Sequence, residues 1–209
     1  MNSKARPGPA AHEQELHLPL DASPEQLVRL HGLQRAFAQA CNALAPIVQR
    51  TRCWNRVTLH HLAYRELREK FPAIGSQMVC NAIYSVSRHC RLLFQSPGSP
   101  FNVARLGDRP LPLLRFSERA PVYFDRHTLS LKAGQVSMYT LDGRMRFQLA
   151  LRPEDEAAFH AGKLREIVLS QSAAGRFELT FVFSDQAEPA RETETRSPAQ
   201  VPEYMMVED

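Results

Sequence analysis

Apolar residues recur three and four positions apart at Leu27, Leu30, Leu33 or Gln34, Phe37, Cys41, Leu44 and Val48, the period of a helix with one buried stripe. Ser23 ahead of it reads as an N-cap, Pro24 suits the first helical position and Gln26 completes a capping box. Pro46 is expected to kink or end that helix. A second helix is predicted from Thr58 as N-cap through Leu59, Leu62, Ala63 and Leu67, stopping at Phe71-Pro72. The third follows Gly75-Ser76 and carries Val79, Ala82, Ile83, Val86, Cys90, Leu93 and Phe94 on one face. Gln95-Ser-Pro-Gly-Ser-Pro100 breaks the helical pattern.

Around this block the period shortens to two. Glu13–Leu20 alternates like a half-buried strand. Further strands are predicted at Leu113–Phe116, Pro121–Phe124, Thr128–Leu131, Gln135–Thr140, Arg144–Leu151, Leu164–Ser170 and Arg176–Phe183. Asp142-Gly143 and Ala174-Gly175 are hairpin signals, and Pro153–His160 reads as a short helix. The expected fold is therefore α+β: a small antiparallel β-barrel formed by residues 14–22 and 101–184, with a three-helix lobe, residues 23–100, inserted after the first strand. Residues 1–13 are expected to be disordered, and 185–209 to form an acidic tail or linker.

Composition narrows the class. A chain of 209 residues with 44% hydrophobic and 23% charged positions has the makings of a folded core. It holds no run near the ~20 apolar residues of a spanning helix and no signal-peptide core, so a cytoplasmic protein without membrane partners is expected. Cys41, Cys53, Cys80 and Cys90 have neither disulfide-framework nor zinc-ribbon spacing and read as reduced, mostly buried thiols.

Charge is asymmetric. Residues 1–152 carry 21 Lys and Arg against 10 Asp and Glu, whereas 153–209 carry 5 against 12. Within Leu27–Arg119 stand 14 basic residues, 13 of them Arg, against Glu66, Glu69, Asp108 and Glu118. Such a segment repels itself unless it meets a polyanion, which makes nucleic acid the first candidate partner. The plainer alternative is a solvated surface in an arginine-biased composition, with 22 Arg to 4 Lys.

Enzyme signatures are missing: no Gly-x-Gly-x-x-Gly, no Walker loop and no Gly-x-Ser-x-Gly elbow. His60 and His61 are adjacent and diverge by about 100° on a helix, too far to chelate one metal readily. No cofactor and no metal is expected. His60 with Tyr64 reads either as a nucleic-acid contact or as core packing. Asp125 and Asp142 fall at turn-like positions. Arg50-Thr-Arg52-Cys-Trp54-Asn-Arg56 places three guanidiniums around the single Trp in an interhelical loop, suited to phosphates and a stacked base; the alternative is a Trp54 that plugs the helix junction. Arg88, His89 and Arg91 fall on the polar side of the third helix, as contacts or as a solvated face.

Two stretches together resemble the N-terminal half of the TnpB/OrfB-type transposon-encoded RNA-guided nucleases, relatives of compact type V CRISPR effectors. One is Tyr64-Arg-Glu-Leu-Arg-Glu-Lys-Phe-Pro-Ala-Ile-Gly-Ser-Gln-Met-Val-Cys-Asn-Ala-Ile83, similar to a recognition-lobe segment. The other, Tyr123-Phe-Asp-Arg-His-Thr-Leu-Ser-Leu131 with Val136-Ser-Met-Tyr-Thr-Leu-Asp-Gly-Arg144, is similar to the wedge-domain pattern. The likeness is one of order and spacing over about residues 14–185. It implies a wedge barrel with an inserted recognition lobe that grips structured guide-type RNA, the guide–target duplex and a short DNA motif. Ser76 and Gln77 match the segment whose polar side chains approach that motif, where Gln suits adenine and Ser either donates or accepts; as an alternative Ser76 is a helix N-cap. Asn81 and Arg126 within the matched stretches join Arg50, Arg52, Trp54, Arg56, His60, Ser76, Gln77, Arg88 and Arg91 as candidate nucleic-acid-binding residues.

The family's nuclease half, with three separated carboxylates and a four-Cys zinc ribbon, would follow where this sequence stops, so a non-catalytic module within a ribonucleoprotein is expected, its nuclease half a separate chain, lost, or replaced by another effector partner. The competing expectations are a scaffolding subunit that docks through its acidic tail, and a degenerate transposase fragment.

Overall fold

The structure, a computed structural model, describes residues 13–184 and 201–208. Strand β1 (Glu13–Pro19) leads into helix α1 (Pro24–Thr51). The capping box forms as read: Ser23 Oγ accepts from the Gln26 N–H at 3.2 Å while Gln26 Oε1 accepts from the Ser23 N–H at 2.9 Å. The expected stripe from Leu30 to Val48 is buried, and so are Ala38, Ala40, Ala45 and Ile47, so α1 is covered on more than one side. Pro46 does not end the helix; it lies on the exposed side, where solvent reaches the carbonyl it leaves without a donor.

Helix α2 (Arg56–Lys70) starts earlier than Thr58 predicts. Asn55 is the cap: its extended backbone lets Oδ1 accept from the N–H of Val57 at 3.0 Å and of Thr58 at 3.1 Å, so Thr58 is already helical. Helix α3 (Ser76–Phe94) has Gly75 at its cap and Ser76 as its first helical residue, which removes the capping explanation of Ser76. The single turn α4 (Val103–Leu106) sits beyond the predicted break.

The strands are β2 (Leu113–Phe116), β3 (Val122–Phe124), β4 (Leu129–Lys132), β5 (Gln135–Thr140), β6 (Gly143–Gln148), then helix α5 (Pro153–Ala161), β7 (Lys163–Gln171), β8 (Phe177–Ser184) and β9 (Met205–Glu208). All pairings are antiparallel, in three sheets ordered β1-β8-β7-β3, β4-β5-β6 and β2-β9. The fold is mixed α+β, and among the described residues none of the sheets closes into a barrel. The β4–β5 turn is built from Ala133 (φ 49°) and Gly134 (φ 73°), two successive positive-φ residues of the kind that match strand twist. The central strand β8 is buried on both faces, from Phe177 to Phe183 apart from Glu178.

One hydrophobic cluster runs through both helices and sheets, so the helices share their core with the β part and are not a separately cored lobe. Buried amides fix the junction. Gln34, 1% exposed, donates to the carbonyls of Arg119 (3.0 Å) and Ala120 (3.1 Å) and accepts from Gln171 (3.0 Å). Asn42 donates to the Phe116 carbonyl at 2.8 Å and accepts its N–H at 2.7 Å, pinning β2 to α1.

The expected acidic tail is corrected at its end. Residues 205–208 form β9 on β2, with Met205 buried and Arg115 ion-paired to Glu208 at 3.0 Å. Apolar Met205 and Val207 supply the inward face that the acidic composition of 185–209 obscures. The expectations for residues 1–12, 185–200 and 209 lie outside the described residues. No helix among the described residues is long and apolar enough to cross a membrane.

The cap assignment is testable. Asn55→Ala is expected to cost about 1 kcal/mol in urea unfolding, whereas Thr58→Ala stays within about 0.5 kcal/mol. The reverse order would restore Thr58 as the cap.

Candidate nucleic-acid interface

The turn between α1 and α2 gathers the arginines. Arg52 ends α1 in a left-handed conformation (φ 51°), and its guanidinium reaches back to a later loop, donating to the carbonyls of Arg109 at 2.8 Å and Gly107 at 2.9 Å. In the same loop Arg109 donates to the Leu106 carbonyl at 3.2 Å and the Arg105 carbonyl at 3.0 Å, and Arg105 to the Pro97 carbonyl at 3.1 Å. Arg50 is exposed in the last turn of α1, and Arg56 opens α2 with its guanidinium 5.4 Å from the Tyr84 ring centre. None of these five arginines is ion-paired among the described residues; the loop's own acid, Asp108, is exposed and also unpaired there. A guanidinium has five N–H donors, so one or two bonds to carbonyls fix its position and leave the rest for an incoming anion.

Trp54 is half-buried, its ring 5.4 Å from that of Phe94 and tilted by 52°, which is the junction-plugging arrangement. His60 stacks on Tyr64 at 4.5 Å, one turn apart on α2 and half-buried.

Helix α3 carries a half-exposed stripe, Gln77, Cys80, Tyr84, Arg88 and Arg91, about 21 Å long at 1.5 Å per residue. The structure brings Arg56, Gln77, Arg88 and Arg91 to this stripe or its margin. Gln77 donates to Asp125 Oδ2 at 2.6 Å. Burial opposes the charge on Asp125, but hydrogen bonds from Thr128, Gln77 and the 127–128 backbone outweigh it and hold the carboxyl below its ordinary range. Ser76 is exposed at the start of the helix, and Arg126 is exposed in the β3–β4 turn, where it rims a cavity of about 520 Å³ lined by Leu131, Phe159 and Leu164.

Two sequence expectations, Asn81 and His89, are corrected here, and Arg88 keeps its place on the half-exposed side but gains an internal partner. Asn81 is 4% exposed and donates to Thr128 Oγ1 at 3.3 Å, so it faces the interior. Arg88 is half-buried and donates from Nε to Glu166 Oε1 at 3.1 Å, an oxygen that also accepts the Tyr84 hydroxyl. Burial disfavours the guanidinium's charge, yet Tyr123, Glu166 and Tyr84 together raise its pKa; the Tyr84 phenol rises too, through burial and Glu166. His89, placed on the polar side by sequence, is 1% exposed. Its Nδ1 lies 2.7 Å from the Ser85 carbonyl, which only accepts, so Nδ1 carries the proton and Nε2 accepts from the Tyr204 hydroxyl at 2.8 Å.

Tyr84, Glu166 and Tyr204 were not foreseen, because their hydrogen-bond partners lie 78 to 115 residues away in the chain. Arg105 and Arg109 were visible only as part of the charge excess. The four cysteines are free; Cys41 and Cys90 are buried and Cys80 and Cys53 half-exposed, with burial pushing the Cys41 thiol up to about 12. Among the described residues no three His, Cys, Asp or Glu stand together as a metal site. The chain matches no protein-family model, and no curated protein is significantly similar to it.

Burial depresses the His89 pKa to about 4. The unfolded chain therefore binds an extra proton between pH 6.5 and 4, and stability present at neutral pH is lost as pH falls through that window, by roughly 3 kcal/mol at its foot. Urea titrations from pH 7 to 4 are expected to show that slope in the native sequence and a flatter one in His89→Gln. Equal slopes would exclude His89 as the acid-sensitive group.

Proposed function

We propose that the chain is a non-catalytic nucleic-acid-binding module, the part of a ribonucleoprotein that holds structured guide-type RNA and adjoining duplex DNA while a separate chain cuts. One observation carries this reading: Arg50, Arg52, Arg56, Arg105 and Arg109 gather at the α1–α2 junction and the loop that Arg52 reaches, all but the exposed Arg50 anchored on carbonyls or an aromatic ring, and none paired with a described carboxylate. A phosphate chain would supply the missing counter-charge and release its condensed ions in doing so. Anchored guanidiniums have little rotamer freedom left to lose, which favours such binding.

The resemblance to the TnpB-type proteins supports the same reading through its order of strand, helices and strands. In these terms α1–α3 correspond to the recognition part, the antiparallel sheets to the wedge part, and the compartment is the cytoplasm. Ser76 and Gln77, at the exposed start of α3, are the base-edge candidates; the Gln77 amide nitrogen is engaged by Asp125, which leaves its oxygen for a donor on a base.

RNA transcribed from the flanking locus is the probe. Binding measured from 50 to 300 mM salt is expected to weaken steeply. Arg50→Ala and Arg56→Ala, which break no ion pair or backbone hydrogen bond, should each lower the salt slope by about 0.7 to 0.9. No affinity at the lowest salt would overturn the proposal.

A further inference from the structure

The three-stranded sheet β4-β5-β6 turns Val136, Met138, Met145 and Phe147 into the core, and its other face to solvent. None of the outward positions on these strands is Asp or Glu, while Lys132, Arg144 and Arg146 are among them. Ordinary solvated faces mix both signs. On the central strand, one residue from its end, stands Tyr139, 42% exposed and directly opposite Arg144. The Arg144 guanidinium lies 4.1 Å from the Tyr139 ring centre and is held by the Ser137 carbonyl at 3.0 Å and the His127 carbonyl at 3.2 Å. Cations that merely guard a sheet against edge pairing belong on edge strands. Lys132, Arg144 and Arg146 all stand on the two edge strands and fit that role, but Tyr139 is on the central strand, where no edge needs protection.

We infer that this face is a second binding platform, and that its occupant is single-stranded nucleic acid. The inference rests on the nucleic-acid reading above and adds a strand class and a site. A planar guanidinium stacked over a half-exposed ring on an open sheet presents its outer flat face, and what the ring leaves uncovered, to bases that are not already stacked on neighbours. Along the same face Arg146 stands opposite Ser137 and Lys132 opposite Gln135, so with Arg144 opposite Tyr139 the cations step along the sheet two residues, about 7 Å, at a time, in reach of successive phosphates. In a duplex the base faces are already stacked on one another and offer this surface no open ring. An acidic peptide would satisfy the cations but make no use of the flat guanidinium and ring surface that remains open. Arg126, on the turn whose His127 carbonyl anchors Arg144, lies beside the platform.

The test compares a fluorescent 12-nucleotide oligouridine, a 12-base-pair RNA duplex and a poly-glutamate peptide on the full chain. Tyr139→Leu keeps the bulk and removes the π face; it is expected to weaken oligouridine binding roughly tenfold or more and leave the duplex unchanged. Lys132→Gln with Arg146→Gln should lower the oligouridine salt slope by about 1.4. Ultraviolet cross-linking should place uridine on the peptide containing Tyr139. If these variants bind oligouridine as the native chain does while Arg50→Ala and Arg56→Ala weaken it, the platform is refuted and the module reading stands. If the chain binds neither nucleic acid, both fall; if poly-glutamate displaces oligouridine from the Tyr139 site at equal charge concentration, the face is a protein-docking surface and the inference is overturned.

Discussion

A polar group taken out of water must find a partner, and α3 buries an unusual set of them against the sheets. Asn81 reaches Thr128 in the β3–β4 turn, Arg88 reaches Glu166 on β7, and His89 reaches Tyr204 just before β9. Each bond is modest, but leaving any one of these groups unsatisfied costs more than the bond itself yields. Together they permit one rotation and one register of α3 on the β part. Gln34 and Asn42 do the same for α1. The helices are therefore tied to the sheets by specific polar contacts as well as by the common apolar cluster.

This arrangement decides what becomes of the charge asymmetry. Part of the basic excess in the first 152 residues is cancelled by acids from the C-terminal part, through Arg88–Glu166 and Arg115–Glu208. Local acids cancel more, as in Arg29–Asp142, Arg35–Glu118 and Arg65–Glu69, although the exposed pairs among these contribute little to stability. Part of what is left over gathers at the α1–α2 junction, where carbonyls take the place of carboxylates, and part lies on the outer face of β4-β5-β6; the rest, such as Arg68, Arg119 and Arg176, is spread over other elements.

The helical stripes of α1 and α3 and most strand positions were legible because a period of 3.6 or 2 is a local property of the chain. The two hairpin signals were equally local. Where two capping residues compete, as Asn55 and Thr58 do, composition does not choose; the backbone one turn earlier does. Strand β9 was hidden because four residues after an acidic stretch carry too short a pattern, and only pairing with β2 gives them a face. The candidate site was legible as a charge excess and as the Arg50–Arg56 cluster, but not as a surface. Asn81 and Arg88 read as outward because helix periodicity ranks residues by polarity, and it cannot see a sheet that supplies Thr128 or Glu166 on the same side.

The preference for Arg over Lys, 22 to 4, bears directly on this division of labour. An ammonium that donates to a carbonyl remains one hydrated point charge on a flexible stem. A guanidinium donates to two carbonyls, as Arg52 does, or lies over a ring, as Arg144 does, and still turns unused N–H groups and a flat face outward. The same residue type can thus close the fold with one edge and offer phosphate or base contacts with the other. Arginine richness alone would follow from composition bias. Arginines seated on carbonyls and aromatic rings, away from the carboxylates that the chain places elsewhere, are what turn that richness into ordered cationic surfaces.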